Sequence, residues 1–334
     1  MRARRDRGAV QPVTPPHSEM IRALALANAG RGAEALALFR EMAAGGDAEA
    51  LFILGDCHWR GDLVPQDLAA GRALFARAAE AGHPMAGVAH TNLLGNGVAG
   101  RRDWPAAVAR LREEARSDTR RAQILALVEA MALTPTGFAM SPPQGQPIST
   151  QPEIAVFRGL FTPAECDHLL AVAEPSYAPS TVVGASGQEM RDPVRTSENA
   201  AMHWMIEDPA IHALNRRLAA ASGTLYEQGE PLLILRYRPG QEYKKHFDAV
   251  PGLENQRFKT ALVYLNEAYE GGETEFGQIG LRFRGQKGDA LIFRNTAEGS
   301  RHDPLAEHAG MPVLSGTKYL ASRWIRERRH LPRV

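Results

Sequence analysis

Hydrophobic positions change period along this chain, and the change divides it. From Met20 to about Leu133, Ala and Leu recur at helical spacing with charged residues between them, which predicts amphipathic helices. From Leu232 onward the period is two and the runs are short. Strands are predicted at Leu232–Arg238, Lys245–Asp248, Phe258–Asn266, Glu273–Phe276, Leu281–Arg284, Asp289–Arg294, Glu307–Ala309 and Lys318–Arg326. Gly271-Gly272, Gly285-Gln286-Lys287-Gly288 and Ser315-Gly316-Thr317 supply turns between several of them. Short strands with frequent turns predict a sandwich or jelly roll. Ahead of them, a short strand is expected at Ile154–Phe157. Thr162-Pro163-Ala164-Glu165 then predicts a helix running to about Ala173, with a Thr N-cap, Pro at the first helical position and Glu at N3. A second helix is expected from about Pro209 to Ser222, ended by Gly223. The expected fold class is α+β: a jelly-roll domain with flanking helices, preceded by an all-α domain.

The helical region also repeats. Phe39, Phe75 and Leu111 are spaced by 36 residues, as are Ala43, Ala79 and Ala115. Gly46 and Gly82, Gly61 and Gly97, and Asp67 and Asp103 share that spacing. A fixed period of this size, with glycine at helix ends, predicts stacked helix hairpins. Ala50-Leu51-Phe52-Ile53-Leu54-Gly55 and Ala73 through Gly82 resemble the Sel-like class of tetratricopeptide repeats. The expected domains are a disordered 1–18, a helical-repeat domain over 19–133, a Ser-, Pro- and Gly-rich linker at 134–152 and a second domain over 153–334. His58, His83 and His90 have no acidic or cysteine partner at ligand spacing and are read as structural.

Composition narrows the function classes. With 44% hydrophobic and 23% charged residues, the chain can build a real core. A net charge of +1 gives no large electrostatic footprint for nucleic acid. The basic start is followed by polar, proline-rich sequence rather than an apolar signal region. No stretch offers the ~20 apolar residues of a spanning helix. The two cysteines, Cys57 and Cys166, make no disulfide framework. The expectation is a cytoplasmic protein with neither a membrane nor a nucleic-acid partner.

Chemistry concentrates in the strand region. His246-Phe247-Asp248 places an imidazole and a carboxylate on one face of a strand, two ligands for one metal. A second histidine would complete the two-His-one-carboxylate set of open non-haem Fe(II) sites. His302 and His308 are the candidates, since His330 lies in a basic tail. Lys318, Leu320, Ser322 and Trp324 share one strand face, which predicts a buried lysine in need of an anion.

These motifs carry a family resemblance. Residues 153–328 resemble the prolyl 4-hydroxylase class of Fe(II)- and 2-oxoglutarate-dependent dioxygenases. The motifs are Leu160 through Cys166, Arg195-Thr196-Ser197, Tyr237 through Asp248, Tyr264-Leu265-Asn266, Gly271 through Phe276 and His308 through Lys318. The resemblance implies a double-stranded β-helix with His246, Asp248 and His308 as the iron ligands. It implies Lys318 and Tyr237 on the distal carboxylate of 2-oxoglutarate, with Thr274 and Trp324 in the same pocket. The implied reaction consumes O2 and 2-oxoglutarate, releases succinate and CO2, and hydroxylates a C–H bond, with ascorbate as reductant. Halogenating relatives carry a small residue where this chain has Asp248, so a carboxylate there implies hydroxylation. Tyr319 departs from the family's usual Trp and is expected to face away from the barrel interior.

The family name implies a prolyl residue in a protein or peptide, which the helical repeats would help to hold. Arg191, Arg195, Trp204 and Tyr243 are the candidates for lining its entry. The alternatives are a free amino acid or small metabolite as substrate, a repeat scaffold with a non-catalytic barrel, and a zinc hydrolase with the same ligands. The zinc reading has no use for a buried Lys318, and the scaffold reading would be marked by a lost ligand, which is not seen. By this division of labour, a chain starting near Gln151 is expected to fold and bind Fe(II) by itself.

Overall fold

The computed structural model describes residues 16–183, 189–190, 193–297 and 302–332. Helices come first: α1 (Pro16–Asn28), α2 (Gly32–Ala44), α3 (Ala48–Arg60), α4 (Leu68–Glu80), α5 (Pro84–Asn96), α6 (Trp104–Glu114) and α7 (Thr119–Ala130). Next are β1 (Gln146–Thr150), β2 (Glu153–Phe157), α8 (Pro163–Ala173), β3 (Ala178–Pro179), β4 (Val182–Val183), β5 (Glu189–Met190), β6 (Glu198–Met202) and α9 (Pro209–Ser222). The remaining strands are β7 (Leu232–Tyr237), β8 (Tyr243–His246), β9 (Arg257–Tyr264), β10 (Tyr269–Gly271), β11 (Thr274–Phe276), β12 (Leu281–Phe283), β13 (Ala290–Arg294), β14 (His308–Gly310), β15 (Val313–Gly316) and β16 (Lys318–Arg326). The class is α+β as expected. Packing forms two compact units that divide between His90 and Thr91, inside α5.

In the first unit, Phe39, Leu51, Leu54 and Ala78 form the core. Gly55 and Gly71 let α3 and α4 cross closely, since a Cβ at Gly71 would press on the Gly55 carbonyl. The 36-residue period is visible in the helix ends. Asp67 and Asp103 each cap a helix by accepting the amide three residues on, and Gly61 and Gly97 are both left-handed. His83 is structural: its Nδ1 accepts the Ala86 amide, its Nε2 faces Glu49 and its ring stacks on Phe52.

The second unit holds the jelly roll. Its large sheet runs β1-β2-β13-β9-β16-β7-β6-β3 and the smaller one β12-β11-β14-β8. Both faces of the large sheet are covered. Ala261 and Val263 on β9, and Leu265 just after it, face a core with α8 and α9, while Leu262 and Tyr264 face the barrel interior. This two-sided burial explains its near-continuous apolar run. On α8, Thr162 and Glu165 form the expected capping box.

The expected linker and domain boundary are not where the packing divides. Trp104, Val108, Leu111, Ile124 and Val128, from α6 and α7, share a core with Leu160, Leu169, Ile211 and Leu214. Within 134–152, β1 pairs with β2 as an edge of the large sheet. Gly137 lies under the Trp104 ring, where a Cβ would clash, and Phe138 packs on the Arg216 guanidinium at 3.3 Å. Glycine serves close packing there rather than flexibility. The disorder expected for residues 1–18 falls mostly outside the described residues, and α1 begins at Pro16.

Candidate active site

The pairing of β14 with β8 builds the centre. His308 and His246 are register partners on these antiparallel strands, so their side chains meet. Strand β8 stops at His246, short of the expected end at Asp248. Asp248 instead lies in the bend that follows, where Thr260 Oγ1 donates to its Oδ2 at 2.6 Å. The nearest approaches are His246 Nε2 to Asp248 Oδ1 at 3.7 Å and His308 Nε2 to Asp248 Oδ2 at 3.6 Å. One potential ligand atom from each of the three residues lies within 4.8 Å of the others, the single such cluster among the described residues.

Protonation is set by the backbone. His246 Nδ1 lies 2.7 Å from the Lys244 carbonyl, and His308 Nδ1 lies 3.0 Å from the Ala306 carbonyl. A carbonyl only accepts, so each Nδ1 carries a proton and each Nε2 is the ring nitrogen turned to the centre. Burial and the neighbouring His308 push the His246 pKa down to about 3, which keeps it neutral and available to a metal. Burial opposes ionisation of Asp248, but the two histidines and Thr260 outweigh it and hold the carboxyl below its ordinary range. Two imidazoles and a carboxylate converging on one point fit Fe(II) with positions left open.

A cavity beside the centre is lined by His246, Asp248, His308, Tyr237, Thr274 and Lys318 among others. Lys318 pairs with Tyr237 across β16 and β7 and is 3% exposed. Its Nζ donates to the Gly272 carbonyl at 2.7 Å, and no carboxylate among the described residues pairs with it. Burial lowers its pKa to about 8. Such an ammonium suits an incoming carboxylate. Thr274 Oγ1 and Tyr264 Oη are hydrogen-bonded at 2.8 Å in the same wall. Tyr319 faces the other way, near Tyr177, as expected.

Of the residues expected at the substrate entry, Tyr243 and Arg195 line the cavity together with Trp324. Tyr243 stacks on His246 with centroids 3.4 Å apart. The Arg195 guanidinium lies 5.0 Å from the Tyr243 ring and 5.8 Å from the Trp324 ring. Trp204 is a correction: it does not line the cavity, and its carbonyl accepts the Asn96 amide. Arg191 lies outside the described residues. The His302 ring packs against Phe247 at a tilt, with centroids 4.8 Å apart, and stands outside the ligand cluster. Sequence reasoning missed Thr260 and Asn295, which support Asp248. No spacing to Asp248 marked either of them in the sequence.

A jelly roll with two histidines, a carboxylate and an adjacent buried lysine defines a non-haem iron oxygenase architecture, and comparison with known proteins agrees. Residues 232–326 match the 2OG-Fe(II) oxygenase superfamily. Prolyl 4-hydroxylase 1 of Arabidopsis thaliana is 36% identical over 201 residues, covering 54% of this chain and 71% of that protein. The chain therefore belongs to the prolyl 4-hydroxylase family of 2OG-Fe(II) oxygenases. It is a 2-oxoglutarate-dependent dioxygenase that uses Fe(II). Among solved structures, the viral collagen prolyl hydroxylase of Paramecium Bursaria Chlorella virus-1 in its 2OG complex is 26% identical, with a TM-score of 0.40 over 52% of this chain and 95% of that one. A Sel1 repeat protein from Oxalobacter formigenes is 22% identical, with a TM-score of 0.30 over 33% of this chain and 47% of that one.

Proposed function

We propose that the enzyme hydroxylates a prolyl residue of a protein or peptide. The carrying observation is the convergence of His246 Nε2, His308 Nε2 and Asp248 beside a buried Lys318 that pairs with no carboxylate among the described residues. In this reading the three residues hold Fe(II). Lys318 and Tyr237 receive the distal carboxylate of 2-oxoglutarate, and Thr274 and Trp324 complete its pocket. Bound iron and 2-oxoglutarate, with O2, supply the oxidising chemistry and yield succinate and CO2, with ascorbate as reductant. The chain fixes the ligands through Lys244, Ala306 and Thr260 and keeps the co-substrate pocket dry with Leu235, Leu262 and Leu320.

A second chamber of about 320 Å3 adjoins the cavity and shares Arg195, Tyr243 and Trp324 with it. We assign it to the substrate, with Tyr243 and Arg195 beside the target ring. The relatives' names support a prolyl target. One observation favours a second reading, a free amino acid or small metabolite: Arg195 is 5% exposed, its Nε has no partner, and no carboxylate among the described residues pairs with it. A substrate carboxylate would suit it. The helical repeats would hold a protein substrate at the first unit. Among the described residues no helix is long and apolar enough to cross a membrane, and both cysteines are free and buried, which supports a cytoplasmic setting. The test is succinate release with Fe(II), 2-oxoglutarate and either proline-containing peptides or free amino acids. Stimulation by peptides alone supports the prolyl reading, stimulation by free amino acids alone supports the second, and stimulation by neither overturns both.

A further inference from the structure

Thr260 and Asn295 are buried polar residues that no ligand set requires. Thr260 is fully buried on β9, opposite Phe293 of β13 and Trp324 of β16. Asn295 is 1% exposed and directly follows β13. A threonine in the central strand of a packed sheet needs a partner for its hydroxyl. Here it has two. Its Oγ1 lies 2.6 Å from Asp248 Oδ2 and 2.8 Å from Asn295 Nδ2.

The chemistry of the groups fixes the direction of both bonds. An ionised carboxylate only accepts, so the single Thr260 hydroxyl proton goes to Asp248. The hydroxyl oxygen then accepts from the Asn295 amide, which requires Nδ2 to face Thr260. The result is a one-way relay, amide to hydroxyl to carboxylate, in which each bond polarises the next. The backbone holds the far end, since Asn295 N donates to the Phe258 carbonyl and the Asn295 carbonyl accepts the Asp303 amide. The relay engages Oδ2 of Asp248. Oδ1 lies 3.7 Å from His246 Nε2 and takes no hydrogen bond from the relay.

We propose that Asn295 and Thr260 are positioning residues that restrict Asp248 to one-oxygen ligation through Oδ1. This rests on the metal reading of His246, Asp248 and His308. Because Asp248 lies in a bend beyond the end of β8, the strand does not hold it, and the Thr260 bond supplies the constraint that His246 and His308 obtain from carbonyls. Restricting the carboxylate to one oxygen keeps a neighbouring coordination position free. A carboxylate released from Oδ2 could turn and occupy that position with both oxygens.

Co(II) is a spectroscopic probe that needs no turnover, 2-oxoglutarate or O2. Its affinity and ligand-field absorption are measured in the wild type and in Thr260→Val, Thr260→Ser, Asn295→Ala and the Thr260→Val/Asn295→Ala pair, with thermal melting as a check on folding. Loss of the hydroxyl in Thr260→Val is expected to weaken Co(II) binding by about 10- to 100-fold and to alter the absorption band. Thr260→Ser is expected to restore both. The double variant should be no weaker than Thr260→Val, because Asn295 acts through Thr260. Wild-type affinity and spectrum in Thr260→Val would overturn the relay, as would an Asn295→Ala effect that adds in full to the first. If Thr260→Val does not fold, Asn295→Ala decides: a changed Co(II) spectrum supports the relay and an unchanged one overturns it. Failure of the wild type itself to bind Co(II) would instead overturn the metal reading, a separate outcome.

Discussion

Replacing Lys318 by Met isolates the co-substrate anchor. The side chain keeps its volume and loses its charge. In the protein, burial lowers the Lys318 pKa from 10.5 to about 8. That difference corresponds to about 3 kcal/mol against the charged form inside the fold. The unliganded enzyme therefore carries a costly ammonium, and its hydrogen bond to the Gly272 carbonyl only partly offsets the cost. A carboxylate that reaches it gains a charge-assisted hydrogen bond of about 1.5–3 kcal/mol. The KM for 2-oxoglutarate in Lys318→Met should then rise by about tenfold to a hundredfold, since each 1.4 kcal/mol is a factor of ten. Metal affinity should change by less than about threefold, because Lys318 contacts none of the three ligands. The assay is succinate formation against 2-oxoglutarate concentration, paired with melting curves. 2-Oxoglutarate should raise the melting temperature of the wild type strongly and that of Lys318→Met weakly, while the variant without ligand should melt no lower than the wild type. An unchanged KM, or equal stabilisation of both proteins by 2-oxoglutarate, would refute the reasoning.

His308→Ala should abolish iron-dependent turnover of 2-oxoglutarate, while His302→Ala, which removes a ring packed at a tilt against Phe247, should keep most of it; metal titration of both proteins checks this. The apparent KM for 2-oxoglutarate should rise as pH passes about 8, because the Lys318 ammonium is present below that value and lost above it. The pH profile of kcat/KM checks the sign, and Lys318→Arg should flatten it. A chain beginning at Gln151 should be insoluble, because it lacks β1 and the Trp104, Leu111 and Ile124 side of a shared core. A chain beginning at Pro84 should stay soluble and bind Co(II), which expression and titration test directly.

Alternation along strands made much of the site legible. Lys318, Leu320, Ser322 and Trp324 all reach the cavity because β16 is regular through them. Asp248 was legible as a ligand but not as a residue beyond its strand, since the end of β8 is set by its pairing with β14. No spacing in the sequence required Trp204, which lies just beyond β6, to reach the cavity. The 36-residue period runs through Asp67 and Asp103 alike, yet the second cap belongs to the unit that begins at Thr91. A repeat records the shape of a helix pair, not the partner that covers its outer face. Thr260 was not legible as a support for Asp248, because its single polar group lies in an apolar strand and its two partners come from distant loops.

The most direct test of the central claim uses isotopically heavy O2. Enzyme, Fe(II), 2-oxoglutarate, ascorbate and a proline-containing peptide are mixed without oxygen, heavy O2 is admitted, and peptide and succinate are read by mass spectrometry. The expected result is one heavy oxygen on the proline ring for each heavy-labelled succinate formed, with both products absent in Asp248→Ala. Labelled succinate with no mass gain on any peptide would contradict the prolyl assignment. Peptide oxidation that persists in Asp248→Ala would contradict the site.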